Sequence, residues 1–428
     1  MNADQRYERR LRRVVVTGLG IISPAGVGKD AYWDVLQHGK SCVDWITRFD
    51  SSRTNVKIAA EIKKPRLPRY PKPKTPRDLS RVARYALIAA YLALQDSGLD
   101  LKAAYSKRIG TVMGTSVGGM EGAGHTYNRF ILNAPGGVSL DNDPTLDYRL
   151  SFFPGSLAKN INMTYSFKGR SDIISTGCTA SADAIGTAVE YIQDDTADVI
   201  LAGGAEDPIN LFTIKAFDTV LALSTRSDCP QKASRPFDRK RSGFVMGEGS
   251  AILVLEELEH AKQRGAHIYC EVAAYQTTCD GYHQTASDPS QDQAARAIRE
   301  ALKAADISKE SVAYVSAHGT STPINDRQET FLIKKVFGRH AYSLPISSIK
   351  SMVGHSSGAA GAMQAVSCAL VFNHNTIPPT INYEFPDPEC DLDYVPNQAR
   401  VWHGSVVLQN TFGFAGKNTA LIYRRFEG

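Results

Sequence analysis

The feature that most constrains the fold is an internal repeat of strands that end in glycine-rich turns. Three segments from the first half of the 428-residue chain reappear in the same order in the second half. Each series opens with a strand and a Gly-Thr-Ser turn, continues with a strand, a glycine turn and a small-residue helix, and closes with another strand and glycine-rich turn. Such a repeat indicates a duplicated unit. The paired segments are 110–119 with 313–322, 173–186 with 348–363, and 198–207 with 406–418.

Strands that alternate with helices predict an α/β architecture, with mainly parallel strands at its centre. We expect two halves, residues 12–265 and 266–428, related by a pseudo-two-fold axis that brings equivalent turns to one site. We interpret the pairs Gly177-Cys178 and Gly354-His355, which lie 177 positions apart, as equivalent turns. The first half carries an additional segment that includes residues 128–155.

Composition excludes several classes of protein. With 43% hydrophobic and 22% charged residues, the chain is typical of globular proteins. No apolar run approaches the roughly 20 residues that a membrane span needs, and "MNADQRYERRLRRVVVTG" lacks the apolar core of a signal peptide. We therefore predict a cytoplasmic protein without membrane association. The seven cysteines show no CxxC spacing, which favours reduced thiols and no metal site; they are Cys42, Cys178, Cys229, Cys270, Cys279, Cys368 and Cys390.

A basic, proline-rich segment extends from Lys63 to Arg81. One interpretation is a solvated surface loop stiffened by proline. The other is a docking surface for an acidic macromolecule. Tyr70 is its one aromatic residue, so it offers no stacking platform for nucleic acid, and an acidic protein partner fits at least as well.

Cys178 lies between an apolar strand, "DIIS", and a segment with helical spacing of small and apolar residues up to Ile192. This pattern predicts a sharp strand-to-helix turn with Cys178 at the N-terminus of the helix. Free N–H groups and the helix dipole at such a position favour a thiolate, so we expect a nucleophile near neutral pH. The alternative is a small core cysteine, and this stretch alone does not decide between them.

Two histidines follow strand-like segments and open glycine-rich turns. His318 stands in "SAHGTSTPINDRQE", and His355 stands in "SIKSMVGHSSGAAGAM". A single histidine in such a place is usually structural, but two of them together with Cys178 favour a catalytic set. Lys350, Asp326 and Glu329 lie nearby in sequence; they are ordinary surface charges or, if buried, groups that orient the imidazoles.

Read together, these motifs resemble the condensing enzymes of the thiolase superfamily. The similarity is greatest to β-ketoacyl-[acyl-carrier-protein] synthase II and to the ketosynthase α subunit of type II polyketide synthases, and it extends from Val14 to Tyr423. It implies a thiolase-like fold of two duplicated halves in α/β/α/β/α layers, with a dimerisation insertion in the first half. The motifs are "STGCT", "RPFDRKRSGFVMGEG", "AHGTSTPINDRQE", "KSMVGHSSGAAGA" and "NTFGFAGKNTA".

The resemblance also implies roles for individual residues. Cys178, His318 and His355 match the family's catalytic triad, and Lys350 and Glu329 match its lysine and glutamate. The amides of Cys178 and Phe412 match the oxyanion hole, and Phe412 matches a gate. Ala415 stands where the family commonly has glycine, which puts the geometry of the gating loop in question. Residues that match substrate-binding positions are Thr320, Thr322, Val117, Asp326 and Phe414.

The implied reaction is a decarboxylative Claisen condensation of an acyl-Cys178 intermediate with malonyl-carrier protein, without a cofactor of the enzyme's own. The expected partners are an acidic acyl carrier protein, which would dock on Lys63, Lys64, Arg66 and Arg69, and a chain-length-factor subunit in a heterodimer. One alternative is a homodimeric 3-oxoacyl synthase II of fatty-acid elongation. Another is a non-catalytic partner subunit, which the presence of Cys178 disfavours.

Overall fold

The computed structural model describes residues 11–73, 79–101, 107–120 and 153–428. Its strands are β1 Val14–Ser23, β2 Gly26–Val27, β3 Asp44–Trp45, β4 Ile58–Ala59, β5 Ile109–Gly114, β6 Ser171–Ile174, β7 Val199–Glu206, β8 Gly249–Glu257, β9 Cys270–Cys279, β10 Tyr314–Ser316, β11 Ile346–Ser347, β12 Thr376–Ile377, β13 Arg400–Val401, β14 Val406–Gly413 and β15 Lys417–Arg424. Its helices are α1 Lys29–Gln37, α2 Arg81–Ser97, α3 Ser156–Tyr165, α4 Ala180–Gln193, α5 Leu211–Thr219, α6 Leu258–Gln263, α7 Asp292–Ala304, α8 Pro323–Phe337, α9 Lys350–Val353 and α10 Ala360–His374.

The main sheet is built from two copies of one five-strand unit. Its order is β11-β10-β14-β15-β9-β1-β8-β7-β5-β6, with β2 paired to β1 at the side. From the centre outwards, each half has its first strand, then its fifth, fourth, second and third. The pairing directions also match, because β5 is parallel to β6 and β7 while β10 is parallel to β11 and β14. The duplicated, thiolase-like architecture is therefore confirmed.

The prediction of mainly parallel central strands is wrong. The strands from β7 through β8, β1, β9 and β15 to β14 are antiparallel to their neighbours, and the halves meet through β1 and β9. Among the described strands, the parallel pairs lie toward the two ends of the sheet. A short connection returns the chain antiparallel to itself, and the turn Phe414–Gly416 between β14 and β15 is such a connection.

Helices form three layers around the two halves of the sheet. The central layer is α4 against α10, and α4 contacts strands of both halves. Small residues permit this close packing, because a Cβ added to Gly361 would lie 2.7 Å from the amide nitrogen of Ala182. Helices α2 and α3 cover the outer face of the first half, and α7 covers that of the second with α8 packed against it. These layers agree with the predicted α/β/α/β/α order.

The two central helices also fix the register of the duplication. A short 3₁₀ turn, Gly177–Thr179, precedes α4, and an equivalent turn, Ser357–Ala359, precedes α10. Equivalent positions are therefore 180 residues apart, as Ala180 and Ala360 begin the two helices. The predicted equivalence of Gly177-Cys178 with Gly354-His355 is wrong by three residues, because the second turn uses a serine where the first uses glycine.

The boundary between residues 265 and 266 stays a prediction; it falls in the connection from α6 to β9. Most of the predicted dimerisation insertion, residues 128–152, lies outside the described residues. Within the described ranges, none of the helices combines the length and apolar character needed to cross a bilayer.

Candidate active site

Cys178 lies on the turn between β6 and α4, as its sequence context predicts. Gly177 has φ +68°, a left-handed conformation that suits glycine, and this conformation lets the strand enter the helix abruptly. Thr179 and Asp183 fasten the turn, since the Thr179 hydroxyl donates to an Asp183 carboxylate oxygen at 2.8 Å. The end of β14 lies against the same turn, because a Cβ on Gly413 would be 3.6 Å from the amide nitrogen of Cys178.

The prediction of a thiolate at neutral pH is wrong for the free protein. Burial raises the pKa of the Cys178 thiol to about 11, and the carboxylate of Glu206 acts in the same direction. The positive charge of Lys350 opposes that rise. The turn at the helix N-terminus is therefore present, but the loss of water around the sulfur outweighs it, and the resting group is a thiol.

His318 follows β10, and two buried charged groups hold its backbone. Glu329, on α8, accepts the N–H of His318 at 2.9 Å and that of Gly319 at 2.8 Å. Lys350 donates to the carbonyl of His318 at 2.6 Å and to the side chain of Gln364 at 3.0 Å. Burial raises the pKa of the Glu329 carboxyl and lowers that of Lys350, and their mutual attraction opposes both shifts.

His355 is held by a backbone bridge to the segment that ends the "RPFDRKRSGFVMGEG" motif. Its N–H donates to the carbonyl of Val245 at 2.8 Å, and its carbonyl accepts the N–H of Gly247 at 2.9 Å. Gly247 has to be glycine here, because a Cβ would lie 2.7 Å from the carbonyl of Val353. The motif that follows Arg235 thus positions a histidine more than one hundred residues further along the chain.

The two imidazoles lie side by side and are uncharged. Their ring centroids are 5.4 Å apart and perpendicular, and the ring of Phe412 lies 5.6 Å from that of His318. Burial lowers the pKa of both histidines well below the ordinary range, and the charge of Lys350 contributes in the same direction. Each ring is therefore neutral at physiological pH and carries one N–H donor.

One cavity of about 340 Å³ brings these groups together. Cys178 from the first half and His318 and His355 from the second half line it. Of the other predicted site residues, Phe412, Phe414, Thr320 and Thr322 also line this cavity. The two threonine hydroxyls are 2.9 Å apart. Phe414 lies toward the surface and is 38% exposed, whereas Phe412 is 8% exposed. The two aromatic rings therefore line the cavity from its solvent side toward the thiol.

Asp326 and Val117 do not line this cavity. Asp326 is fully buried and accepts the N–H groups of Phe237 at 2.8 Å and Ser321 at 3.2 Å, with Arg241 3.8 Å away. It holds two loops together rather than facing a substrate, which differs from the prediction. Val117 is half-buried, and its N–H donates to Glu206.

Glu206, at the end of β7, is a residue that the sequence argument did not single out. It is fully buried and accepts hydrogen bonds from the amides of Ser116, Val117, Gly118 and Gly358 and from the Thr115 hydroxyl. The first three amides belong to the first half and the last to the second, so one carboxylate joins the two halves beside Cys178. The only signal in the sequence is an acidic residue at the end of an otherwise apolar strand.

The loop after the cavity wall contains Ala415, the residue that departs from the family pattern. Ala415 has φ +63°, and its N–H donates to the carbonyl of Gln284 at 2.7 Å. The alanine therefore adopts the left-handed conformation that glycine accommodates more easily, at a cost of about 1 kcal/mol.

The predicted carrier-docking residues Lys63, Lys64, Arg66 and Arg69 are all exposed. Lys63 also forms an ion pair with Asp44 at 2.6 Å. Among the described residues, no group of three or more His, Cys, Asp or Glu side chains is arranged to hold a metal ion.

Comparison with known proteins identifies the family models and relatives that this chain matches. Residues 11–261 match the model of the β-ketoacyl synthase N-terminal domain, and residues 269–384 match that of the C-terminal domain. The ketoacyl synthase α subunit of the tetracenomycin polyketide synthase from Streptomyces glaucescens is 42% identical, over 97% of both chains. The 3-oxoacyl-[acyl-carrier-protein] synthase 2 of Coxiella burnetii (strain RSA 493 / Nine Mile phase I) is also 42% identical, over 97% of this chain and 99% of the relative.

A solved structure described as a type II PKS acyl-carrier protein in complex with its ketosynthase bound to the hexaketide superimposes with a TM-score of 0.90. The two chains are 37% identical, and the match covers 98% of this chain and all of the other.

Proposed function

The chain belongs to the β-ketoacyl synthase family, and from that premise we propose that it is the condensing ketosynthase of a type II polyketide synthase. It joins an acyl group carried on Cys178 to a malonyl thioester and releases carbon dioxide. The observation that carries the proposal is that the thiol of one half and the two imidazoles of the other line the same cavity. We propose that the Cys178, His318 and His355 side chains perform the chemistry.

In the first half-reaction the sulfur of Cys178 attacks the carbonyl carbon of an acyl thioester on a carrier protein. A new carbon–sulfur bond forms, the bond to the carrier sulfur breaks, and the thiol proton of Cys178 ends on the departing carrier thiol. Because both imidazoles are neutral, either can relay that proton without first losing one of its own.

In the second half-reaction the malonyl thioester loses its carboxylate as carbon dioxide. The electron pair of the broken carbon–carbon bond becomes an enolate, whose oxygen accepts hydrogen bonds from the N–H groups of His318 and His355. The α-carbon of the enolate then attacks the acyl carbonyl on Cys178. The bond to sulfur breaks, the Cys178 sulfur leaves as a thiolate and takes up one proton from solvent, and a β-ketoacyl thioester leaves on the carrier. Release of the gas drives the condensation forward.

The tetrahedral intermediates need donors for a developing oxyanion. We assign this role to the amides of Cys178 and Phe412, since the end of β14 approaches the Cys178 turn at Gly413. Each preorganised donor of this kind contributes roughly 3 kcal/mol to the stability of the transition state. The Phe412 ring lies beside His318 and lines the same cavity as the thiol, which suits a gate between the two half-reactions.

Substrates reach the cavity on the phosphopantetheine arm of a carrier protein, so the enzyme needs no cofactor or metal of its own. The paired hydroxyls of Thr320 and Thr322 lie along the cavity wall, where they can hydrogen-bond the amides of that arm. Phe414 lines the outer part of the path. We place the reaction in the cytoplasm.

The docking partner is an acyl carrier protein, which is acidic in systems of this kind, and its site is the exposed set Lys63, Lys64, Arg66 and Arg69. The solved complex of a carrier protein with its ketosynthase supports a partner of this class. Charge reversal of Lys64, Arg66 and Arg69 is expected to raise KM for the acyl carrier about tenfold and leave acylation by a small soluble thioester unchanged. Equal loss of both activities would contradict docking at this surface.

We also propose a chain-length-factor subunit as the second chain of a heterodimer, because a similar relative is named an alpha subunit. A homodimeric 3-oxoacyl synthase of fatty-acid elongation is the second candidate, and the similarity to the Coxiella burnetii protein favours it. Purification of tagged protein from its source separates the two: a second ketosynthase-like chain supports the first, and a single chain supports the second.

Intact-protein mass spectrometry tests the function itself. After incubation with an acyl carrier, the chain is expected to gain the mass of one acyl group, and peptide mapping should place it on Cys178. Addition of malonyl carrier should then restore the original mass and yield a β-ketoacyl carrier. Acylation without this release, or modification of another residue, would contradict the proposal.

A further inference from the structure

Asp183 is a buried carboxylate whose two oxygens serve different halves of the chain. It lies in the first turn of α4 and is 3% exposed. Its Oδ2 accepts the hydroxyls of Thr176 and Thr179, which belong to the first half. Its Oδ1 accepts the hydroxyl of Thr419 at 2.6 Å and that of Tyr275 at 3.0 Å, and both of these residues belong to the second half.

These four hydroxyls satisfy the hydrogen-bonding capacity of Asp183. A carboxylate has roughly four acceptor sites and no donor. Burial of such a group is costly unless its hydrogen bonds are made. The proposed mechanism gives Asp183 no proton to move, so its presence inside the protein needs another explanation. The division of its bonds between the two halves indicates that it joins them.

The two threonines of the first half flank the turn that carries Cys178. The Thr179 hydroxyl also lies 3.0 Å from the carbonyl oxygen of Thr176, which tightens this turn. The same carbonyl faces the end of β14, because a Cβ added to Gly413 would lie 3.2 Å from it and 3.6 Å from the Cys178 amide nitrogen. Asp183 therefore holds the turn at the point where the second half approaches it.

The two hydroxyls of the second half come from strands next to Phe412. Thr419 lies on β15 opposite Thr411 of β14, the residue that precedes Phe412. Tyr275, on β9, packs closely on α4, since a Cβ added to Gly186 would lie 2.2 Å from its ring. The bonds to Asp183 therefore tie the strand pair that carries Phe412 to the helix that follows Cys178.

We propose that Asp183 is a positioning residue that fixes the amide of Phe412 relative to that of Cys178. The assignment rests on the proposed function, in which these two amides stabilise the oxyanion. They come from different halves, so their separation depends on contacts between the halves, and preorganised donors lose their effect when they are displaced. The Asp183 carboxylate contacts no substrate in this account and acts through the two amides.

Two reactions of Cys178 distinguish this role from a general structural one. Acylation by a small soluble thioester, acetyl-N-acetylcysteamine, passes through a tetrahedral oxyanion. Alkylation by iodoacetamide does not, because the sulfur displaces iodide from a saturated carbon. A displaced oxyanion hole should therefore slow acylation and leave alkylation unchanged.

Asp183→Asn and Thr419→Val are the test variants. The asparagine side chain has one acceptor oxygen, so it can accept hydroxyls from only one half. Thr419→Val removes a hydroxyl from the second half and keeps a similar shape. Both variants are expected to slow acylation of Cys178 about tenfold. Alkylation should stay within about twofold of the wild-type rate, because it forms no oxyanion.

Two further variants are controls. Thr419→Ser keeps the hydroxyl and should acylate within about twofold of the wild-type rate. Thr17→Val removes a comparable buried bond away from the site, since the Thr17 hydroxyl donates to Glu256 at 2.7 Å between β1 and β8. It should change neither rate. Thermal unfolding checks that each variant is folded.

Equal falls in acylation and alkylation would assign Asp183 a general structural role and overturn the proposal. Wild-type acylation in either Asp183→Asn or Thr419→Val would also overturn it. Failure of the proposed function gives a different result, because the wild-type protein itself would then take no acyl group from the thioester while iodoacetamide still labels Cys178. The positioning role would fall with that function.

Discussion

The turns before α4 and α10 have the same backbone geometry but carry different side chains. Each is a 3₁₀ turn that opens with a left-handed residue and leads into a helix of the central layer. The first half places Cys178 second in its turn, and the second half places Gly358 there. Duplication has therefore conserved how the chain bends and has left the side chain at the bend free to differ.

Position 358 requires glycine because residues of the first half pack closely against it. Its N–H donates to Glu206 at 2.9 Å, and a Cβ there would lie 2.4 Å from the amide nitrogen of Ser116 and 2.5 Å from a Glu206 oxygen. Gly177 is different, because a Cβ there would meet nothing within 4 Å. One glycine permits close packing between the halves, and the other permits a positive φ. In the proposed mechanism the first half supplies the nucleophile, and the second supplies imidazoles from the loops next to its turn.

The largest expected effect distinguishes the two halves by the reaction step that each one supports. His318→Ala and His355→Ala should each reduce malonyl decarboxylation by about a hundredfold or more, because each removes a donor to the enolate. Acylation of Cys178, followed by mass spectrometry, should fall much less. The exposed His403 provides a control substitution that changes neither. Equal loss of both steps in the two variants would remove the distinction between the halves.

The next largest effect is on the stability of the protein. Substitutions of the two buried carboxylates, Glu329 and Glu206, should lower it by different amounts. Glu329→Gln should lower the free energy of unfolding by about 2–4 kcal/mol, because it weakens the hold on the His318 loop and leaves Lys350 buried without its compensating charge. Glu206→Gln should cost about 1–2 kcal/mol, because the amide oxygen still accepts some of the N–H bonds and Cys178 is uncharged. Denaturant unfolding measures both. The Glu329→Gln/Lys350→Met double variant should recover part of the loss, and strict additivity would contradict the coupling.

Substitution of Gly358 or Gly177 by alanine should lower the free energy of unfolding by different amounts. Gly358→Ala is expected to destabilise the protein by about 1–3 kcal/mol, since the new Cβ overlaps Ser116 and Glu206. Gly177→Ala should cost about 1 kcal/mol, from the left-handed backbone alone. Thermal or denaturant unfolding compares them. A larger cost at Gly177 would contradict the assignment of close packing to the second half.

The smallest expected effect concerns thiol reactivity against pH. Thiolate is the reactive form, so with a pKa of about 11 the alkylation rate of Cys178 should rise about tenfold per pH unit between pH 7 and 9. Glu206→Gln removes a negative charge that raises this pKa, so its curve should move to lower pH and its rate at pH 8 should increase about threefold. A plateau near pH 7 in the wild-type protein would instead support the thiolate expected from the helix N-terminus.

Local patterns in the sequence predicted the parts of the site that are local. The strand-to-helix turn at Cys178 followed from a glycine and a helical period, and the loops of His318 and His355 followed from glycine after apolar strands. Quantities that depend on distant packing did not follow. The pKa of Cys178 depends on burial by both halves, the inward-facing role of Asp326 depends on loops from residues 237 and 321, and Glu206 gains its partners from strands and turns far away in sequence.

The repeat itself was visible, but its register was not. Equivalent turns differ by 180 positions, and the mismatch with the predicted pairing arose because Ser357 replaces the glycine that marked the first turn. The antiparallel centre of the sheet was hidden for a similar reason. Strand-like segments show which residues form strands, whereas the direction of each pair depends on where the connections cross.

The most direct test of the account follows the two half-reactions separately in a Cys178→Ala variant supplied with malonyl carrier labelled in its free carboxyl group. If the nucleophile and the decarboxylating imidazoles are distinct contributions from two halves of the chain, this variant should release labelled carbon dioxide and leave acetyl carrier, with no β-ketoacyl product. Continued condensation would show that Cys178 is not the acyl acceptor. Complete absence of labelled carbon dioxide, in a folded variant, would show that the imidazoles do not act independently of the thiol.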